Sequence, residues 1–126
     1  MNHVLYSDGN TEKITWVIQT NDSKISQKRT HVDLYRDKVT TLQSRYISLH
    51  IGLFWGIGVF LIKNGDTVKI KLDEKIMFDQ FTSNLEINDK LIGKRMQFIK
   101  QLVNQRKIKI QFELIDRYEN LAKENI

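Results

Sequence analysis

The chain has 126 residues, with 20 Lys and Arg against 15 Asp and Glu, a formal net charge of +5 and a sequence pI near 9.5. The absence of cysteine excludes disulfides and thiolate metal sites, and the absence of proline leaves its turns to Gly, Asn, Asp and Ser. Its 40% hydrophobic and 28% charged residues suit one soluble domain spanning 1–126, and the basic balance fits a nucleic-acid partner as well as plain solubility.

Met1 to Asp8 has neither a basic segment nor an apolar core of the secretory kind. The apolar run from Ile51 to Ile62, bounded by His50 and Lys63, falls short of the roughly 18–20 residues that cross a bilayer. A buried helix and no membrane partner are therefore expected; the cysteine-free composition suits a reducing, cytoplasmic setting, and the oligomeric state stays open with a monomer as the expectation.

In chain order, Val4 to Asp8 alternates as a first strand and stops at the turn Asp8-Gly9-Asn10. Ile14 to Thr20, rich in β-branched and aromatic side chains, is a second strand ending at Asn21-Asp22. A third is expected from Ile25 to Tyr35, which completes an antiparallel meander. Arg36 to Ser44 reads as a polar loop, and Tyr46 to Ile62 is long enough to favour a helix despite Gly52, Gly56 and Gly58. Val68, Ile70 and Leu72 alternate with lysines in a short strand running into Asp73. Ile76 to Phe81 has helical spacing. A longer helix from about Asn88-Asp89 lines up Leu91, Ile92, Met96, Ile99, Leu102 and Val103. Ile108 to Leu114 alternates as a fifth strand, and Tyr118 to Ile126 reads as a short terminal helix. The order βββ–α–β–αα–β–α predicts an α/β fold with a mixed five-stranded sheet, antiparallel strands first and parallel βαβ units afterwards.

Four stretches on these elements resemble the ribonuclease H family. Tyr6-Ser7-Asp8-Gly9-Asn10 is similar to its aromatic-x-Asp-Gly-Ser start. Arg45-Tyr46-Ile47-Ser48-Leu49 through Trp55-Gly56-Ile57 resembles its first helix, commonly Glu-Tyr-x-Ala-Leu-x-x-Gly-Leu-x-Trp-Ala-Leu. Val68 to Lys75 resembles its fourth strand, Val-x-Ile-x-x-Asp-Ser-x, and Arg117-Tyr118-Glu119-Asn120 with Glu124 resembles its closing Arg-x-x-Asn-x-x-Ala-Asp.

The resemblance implies a ribonuclease H-like fold and hydrolysis of the RNA strand of RNA/DNA hybrids by water with two Mg²⁺ or Mn²⁺ ions. Two metals about 3.5–4 Å apart would stabilise the attacking and leaving oxygens. Hard cations need clustered oxygen ligands, and Asp8, Asp73 and Glu124 would be the metal-binding and catalytic set. Arg45, however, stands where the family carries a metal-binding Glu, and a guanidinium neither ligates Mg²⁺ nor deprotonates. Three readings stay open: a three-carboxylate enzyme whose Arg45 swings out to a phosphate, a degenerate module that binds nucleic acid without cleaving it, or an alignment shifted by a residue or two. Asn10, Gln43, Ser44, Arg45, Arg117 and Asn120 would contact the nucleic acid. Without the resemblance, Asp8 is ordinary turn chemistry, Asp73 a helix cap, and Arg117 and Asn120 ties between the last helix and the sheet. Glu74 is expected to face away from the cluster.

Overall fold

The computed structural model describes residues 1–125, with side chains through Lys123. Strands β1 (Asn2–Gly9), β2 (Lys13–Thr20), β3 (Ser23–Thr30), β4 (Thr67–Leu72) and β5 (Lys109–Leu114) form one sheet in the order β3-β2-β1-β4-β5. The pairs β1–β2 and β2–β3 are antiparallel, whereas β1–β4 and β4–β5 are parallel, which is the mixed sheet expected from the element order. Three helices follow the meander among the described residues: α1 (Thr41–Gly58), α2 (Lys75–Thr82) and α3 (Lys90–Arg106). None is long and apolar enough to cross a membrane.

Alternation along the strands sorts their side chains onto two faces. Leu5, Ile14, Trp16, Ile18, Val68 and Ile70 join Tyr46, Leu49 and Leu53 of α1 and Met96 and Ile99 of α3 in the main core. Tyr6 and Val17 point to the opposite face, where they pack with Ile115 and Ala122. Gly52 permits the tight seat of α1 on the sheet, because a β-carbon there would lie 2.9 Å from Cγ of the fully buried Trp16.

Four boundaries differ from the sequence expectations, one being the end of the first helix, which stops at Gly58 rather than Ile62. Strand β3 stops at Thr30 rather than Tyr35, since the His31 amide bonds back to the Glu12 carbonyl and 33–39 fold into turns. Helix α1 begins at Thr41, inside the expected loop, because Thr40 and Gln43 form a capping box that satisfies two free amides. The expected helix over 118–126 is instead two short 3₁₀ segments, Arg117–Glu119 and Leu121–Asn125, with Asn120 extended between them. Asn120 folds its side-chain oxygen onto the Ala122 amide, which favours a turn over continued helix.

Away from the parallel strand ends, the base of β1 is fixed by a buried polar chain. The His3 ring lies between Thr20 Oγ1 at 2.6 Å and Asp66 Oδ2 at 2.8 Å, and the Lys63 amide also donates to Asp66. The His3 bond, followed by the Lys63 amide, lowers the Asp66 pKa to about 2. A carboxylate with a depressed folded pKa stabilises the fold above its unfolded value, and that contribution disappears as pH falls through the folded value. Stability should thus decline between about pH 4 and pH 2 in part through Asp66, and Asp66→Asn should flatten that limb when denaturant unfolding is followed across the window. Separately, Gly52→Ala should cost about 1–3 kcal/mol of unfolding free energy through overpacking against Trp16.

Candidate functional site

Parallel pairing of β1 with β4 runs from Asn2↔Thr67 to Tyr6↔Lys71, so both strands finish at the same sheet edge. Two residues beyond the last pair, Asp8 and Asp73 stand side by side, their side chains only 1% and 3% exposed. Carboxylates withdrawn this far from water need compensation, since burying an unpaired charge is costly.

Two arginines supply it. Arg45, in the first turn and a half of α1, places Nε 3.3 Å from Asp8 Oδ1 and Nη1 3.7 Å from Asp73 Oδ1, and donates from Nη1 to Glu74 Oε2 at 2.7 Å. Arg117, in the first 3₁₀ segment, brings Nη2 to 2.6 Å from Asp8 Oδ2 and donates from Nη1 to Asp73 Oδ2 at 2.9 Å. Each guanidinium therefore spans both aspartates, Arg45 on their Oδ1 atoms and Arg117 on their Oδ2 atoms. Contact with Asp8 first, and with Asp73, raises the Arg117 pKa above its ordinary value. The contacts to Asp8 are ion pairs rather than aligned hydrogen bonds, for Asp8 Oδ2 and Arg45 Nε have no directed partner. The Gly9 amide completes the pairing by donating to Asp8 Oδ1 at 2.8 Å.

Asn120 joins the clamp to the chain end. Its amide donates to Asp73 Oδ2 and to the Ser7 carbonyl, both at 3.0 Å, and the residue is 1% exposed. The remaining sequence candidates are engaged in holding this edge together. Asn10 accepts from the Glu12 and Lys13 amides and shapes the β1–β2 turn. Gln43 caps α1 with its oxygen and donates its amide to Asp89, the cap of α3. Ser44 is buried and lies 2.8 Å from the His31 ring. A β-carbon on Gly9 would lie 2.4 Å from Ser44 Oγ and 2.9 Å from the Ser44 carbonyl carbon, so glycine allows the end of β1 to touch the start of α1.

Asp8, Asp73, Arg45, Arg117 and Asn120 thus converge, while Asn10, Gln43 and the buried Ser44 are held in turn, cap and His31 contacts outside the cluster. The side chain of Glu124 lies outside the described residues. Glu74 does not face away: it turns toward Arg45, which its place next to Asp73 and the need of a buried guanidinium for a third acceptor could have suggested. Nor is Asp73 the cap of α2, a position taken by Glu74 without a side-chain bond. His31 was missed because its contacts with the Asn10 carbonyl and Ser44 depend on where β3 ends.

The site's chemistry is that of a closed ion-pair network. Two Mg²⁺ would need the aspartate oxygens that the guanidiniums now hold, and each cation would face a fixed positive charge. Among the described residues no three His, Cys, Asp or Glu side chains converge to hold a metal. The described residues do not fit the implied metal pair.

Removing Arg45 leaves Asp8 and Asp73 with one cation between them, so Arg45→Ala should destabilise the fold by about 3 kcal/mol in chemical denaturation. A double change, Arg45→Glu with Arg117→Ala, should produce a Mn²⁺-dependent rise in melting temperature that the parent chain lacks, whereas Arg45→Glu alone should not.

No protein-family model matches the chain, and no curated protein matches its sequence. Solved structures do. The N-terminal RNase H domain of Rv2228c from Mycobacterium tuberculosis, solved as a fusion with maltose-binding protein, superposes with a TM-score of 0.80 at 18% identity, over 98% of this chain and 95% of that one. RNase H1 from the halophilic archaeon Halobacterium salinarum gives 0.79 at 18% identity, over 98% and 96%. LC11-RNase H1, solved in complex with an RNA/DNA hybrid, gives 0.71 at 17% identity, over 97% and 91%. With its strand order, sheet polarity and helix placement, the chain has the ribonuclease H-like fold.

Proposed function

We propose that this chain is a nucleic-acid-binding module of the ribonuclease H-like fold that does not cleave its ligand. The observation that carries this reading is the double clamp, in which Arg45 and Arg117 hold the two aspartates that hydrolysis would use. A guanidinium stays protonated at any physiological pH, so the clamp is permanent rather than regulated by titration. Arg117 is the member of the pair that can also reach a ligand, because its side chain remains 46% exposed while its two inner contacts hold it in place. Lys75, 74% exposed and paired with Asp79 at 2.9 Å, lines a hollow next to Asp73.

Nucleic acid as the ligand is supported by the net charge of +5 and by the likeness to a structure solved with an RNA/DNA hybrid. Phosphate contacts of this kind position a duplex without reading its sequence. Asn10, Gln43 and the buried Ser44 and Asn120 would act by holding this edge in shape.

Cleavage is the competing reading, and it requires both guanidiniums to leave Asp8 and Asp73 before any cation can enter. Incubation with labelled RNA/DNA hybrid distinguishes the two. The expected result is binding at low salt that weakens steeply with added salt, is unchanged by a chelator, and yields no product with Mg²⁺ or Mn²⁺. Metal-dependent product that disappears on Asp73→Asn would restore the enzyme reading. Failure to bind at low salt would remove the binding one.

A further inference from the structure

A second basic feature lies between the end of β3, the turns after it, α1 and α3. A cavity of about 280 Å³ opens there, floored by Ile47 and Ile51 and walled by Arg29, Tyr35, Arg95 and the buried His31. Its size is just under the usual 300–1,000 Å³ of small-molecule sites, enough for one flat ring system.

The two guanidiniums are unusual in their partners. Arg95 is half-buried and donates to His50 Nδ1 at 2.9 Å and to the Tyr35 hydroxyl at 3.3 Å, both neutral acceptors. Burial and the neighbouring Arg95 keep His50 uncharged down to about pH 4, so it offers no compensating charge. Arg29 lies over the Trp16 indole with its Cζ 5.2 Å from the ring centre. Neither arginine pairs with a carboxylate among the described residues, and no acidic side chain lines the cavity. A half-withdrawn cation with only neutral neighbours favours an anion, and guanidinium forks suit phosphate oxygens. The apolar floor beside them favours a flat, weakly polar group.

We propose that this cavity binds a nucleotide phosphate ester, with the planar base against Ile47 and Ile51 and the phosphate on Arg29 and Arg95. The choice of a base as the planar group rests on the nucleic-acid reading, and the same chemistry is offered by a free mononucleotide or by the phosphorylated end of a strand. The cavity communicates with the clamped edge through His31, whose ring touches the Asn10 carbonyl and Ser44, the neighbour of Arg45.

The test titrates the intact chain with adenosine 5′-monophosphate, adenosine and inorganic phosphate, read by calorimetry and by tryptophan fluorescence. Saturable binding of the monophosphate, at least tenfold tighter than adenosine or phosphate alone and weakened about tenfold by Arg95→Gln or by the exposed Arg29→Gln, is the expected result. Comparing single strands bearing a 5′-phosphate or a 5′-hydroxyl separates the sources: a phosphorylated strand binding more tightly than the mononucleotide assigns the site to strand ends, and the reverse assigns it to free nucleotide. No saturation, equal affinity for adenosine, or indifference to both variants would overturn the proposal. A blunt hybrid with 5′-hydroxyl ends is measured in parallel, so that loss of the cavity proposal with hybrid binding intact is told apart from failure of the nucleic-acid reading itself.

Discussion

Two carboxylates set at the ends of adjacent parallel strands, almost out of water, impose the condition that the rest of this molecule satisfies. Strand polarity forces Asp8 and Asp73 together, because β1 and β4 run the same way and stop at the same edge. Their mutual repulsion must be offset by positive charge delivered from elsewhere in the chain. Arg45 arrives from α1, whose start is fixed by the Thr40–Gln43 cap, and Arg117 arrives from the segment that follows β5. Helix start, last strand and the segment after it are thereby tied to one electrostatic centre, and Asn120 adds a hydrogen bond that orients Asp73.

The two faces of the sheet divide the work differently. On the helical side apolar burial dominates, and close approach at Gly52 and Gly9 sets how α1 lies. On the other side a small cluster around Tyr6, Val17, Ile115 and Ala122 anchors the last described segment, with Thr15 donating to the Ala122 carbonyl. That anchor positions Arg117. Its reach across both aspartates depends on apolar contacts on the opposite side of the sheet from the main core.

Much of this was legible in the residues before any coordinates. Strand alternation, glycine turns and the apolar stripe of α3 are local properties, and they predict element order and sheet polarity directly. The conflict at Arg45 was legible too, since its residue type alone is incompatible with metal ligation. What was not legible depends on long-range geometry. The contact of Arg117 with Asp8 joins residues far apart in the chain through a turn that propensity reads as helix. The turn of Glu74 toward Arg45 and the cavity beside His31 depend on where β3 and α1 begin and end, which capping hydrogen bonds decide rather than hydrophobic period.

Delivery of the two guanidiniums from separate elements gives the clamp a ratchet-like character. Exchanging either arginine for a neutral residue strands a buried negative charge before any metal site exists, and exchanging one for an acid deepens that deficit while the other cation still repels an incoming ion. Each single step back toward a metal centre is thus uphill in folding free energy. On the binding-module reading proposed above, a fold that settles its charge balance with side chains rather than exchangeable ions would be indifferent to metal supply.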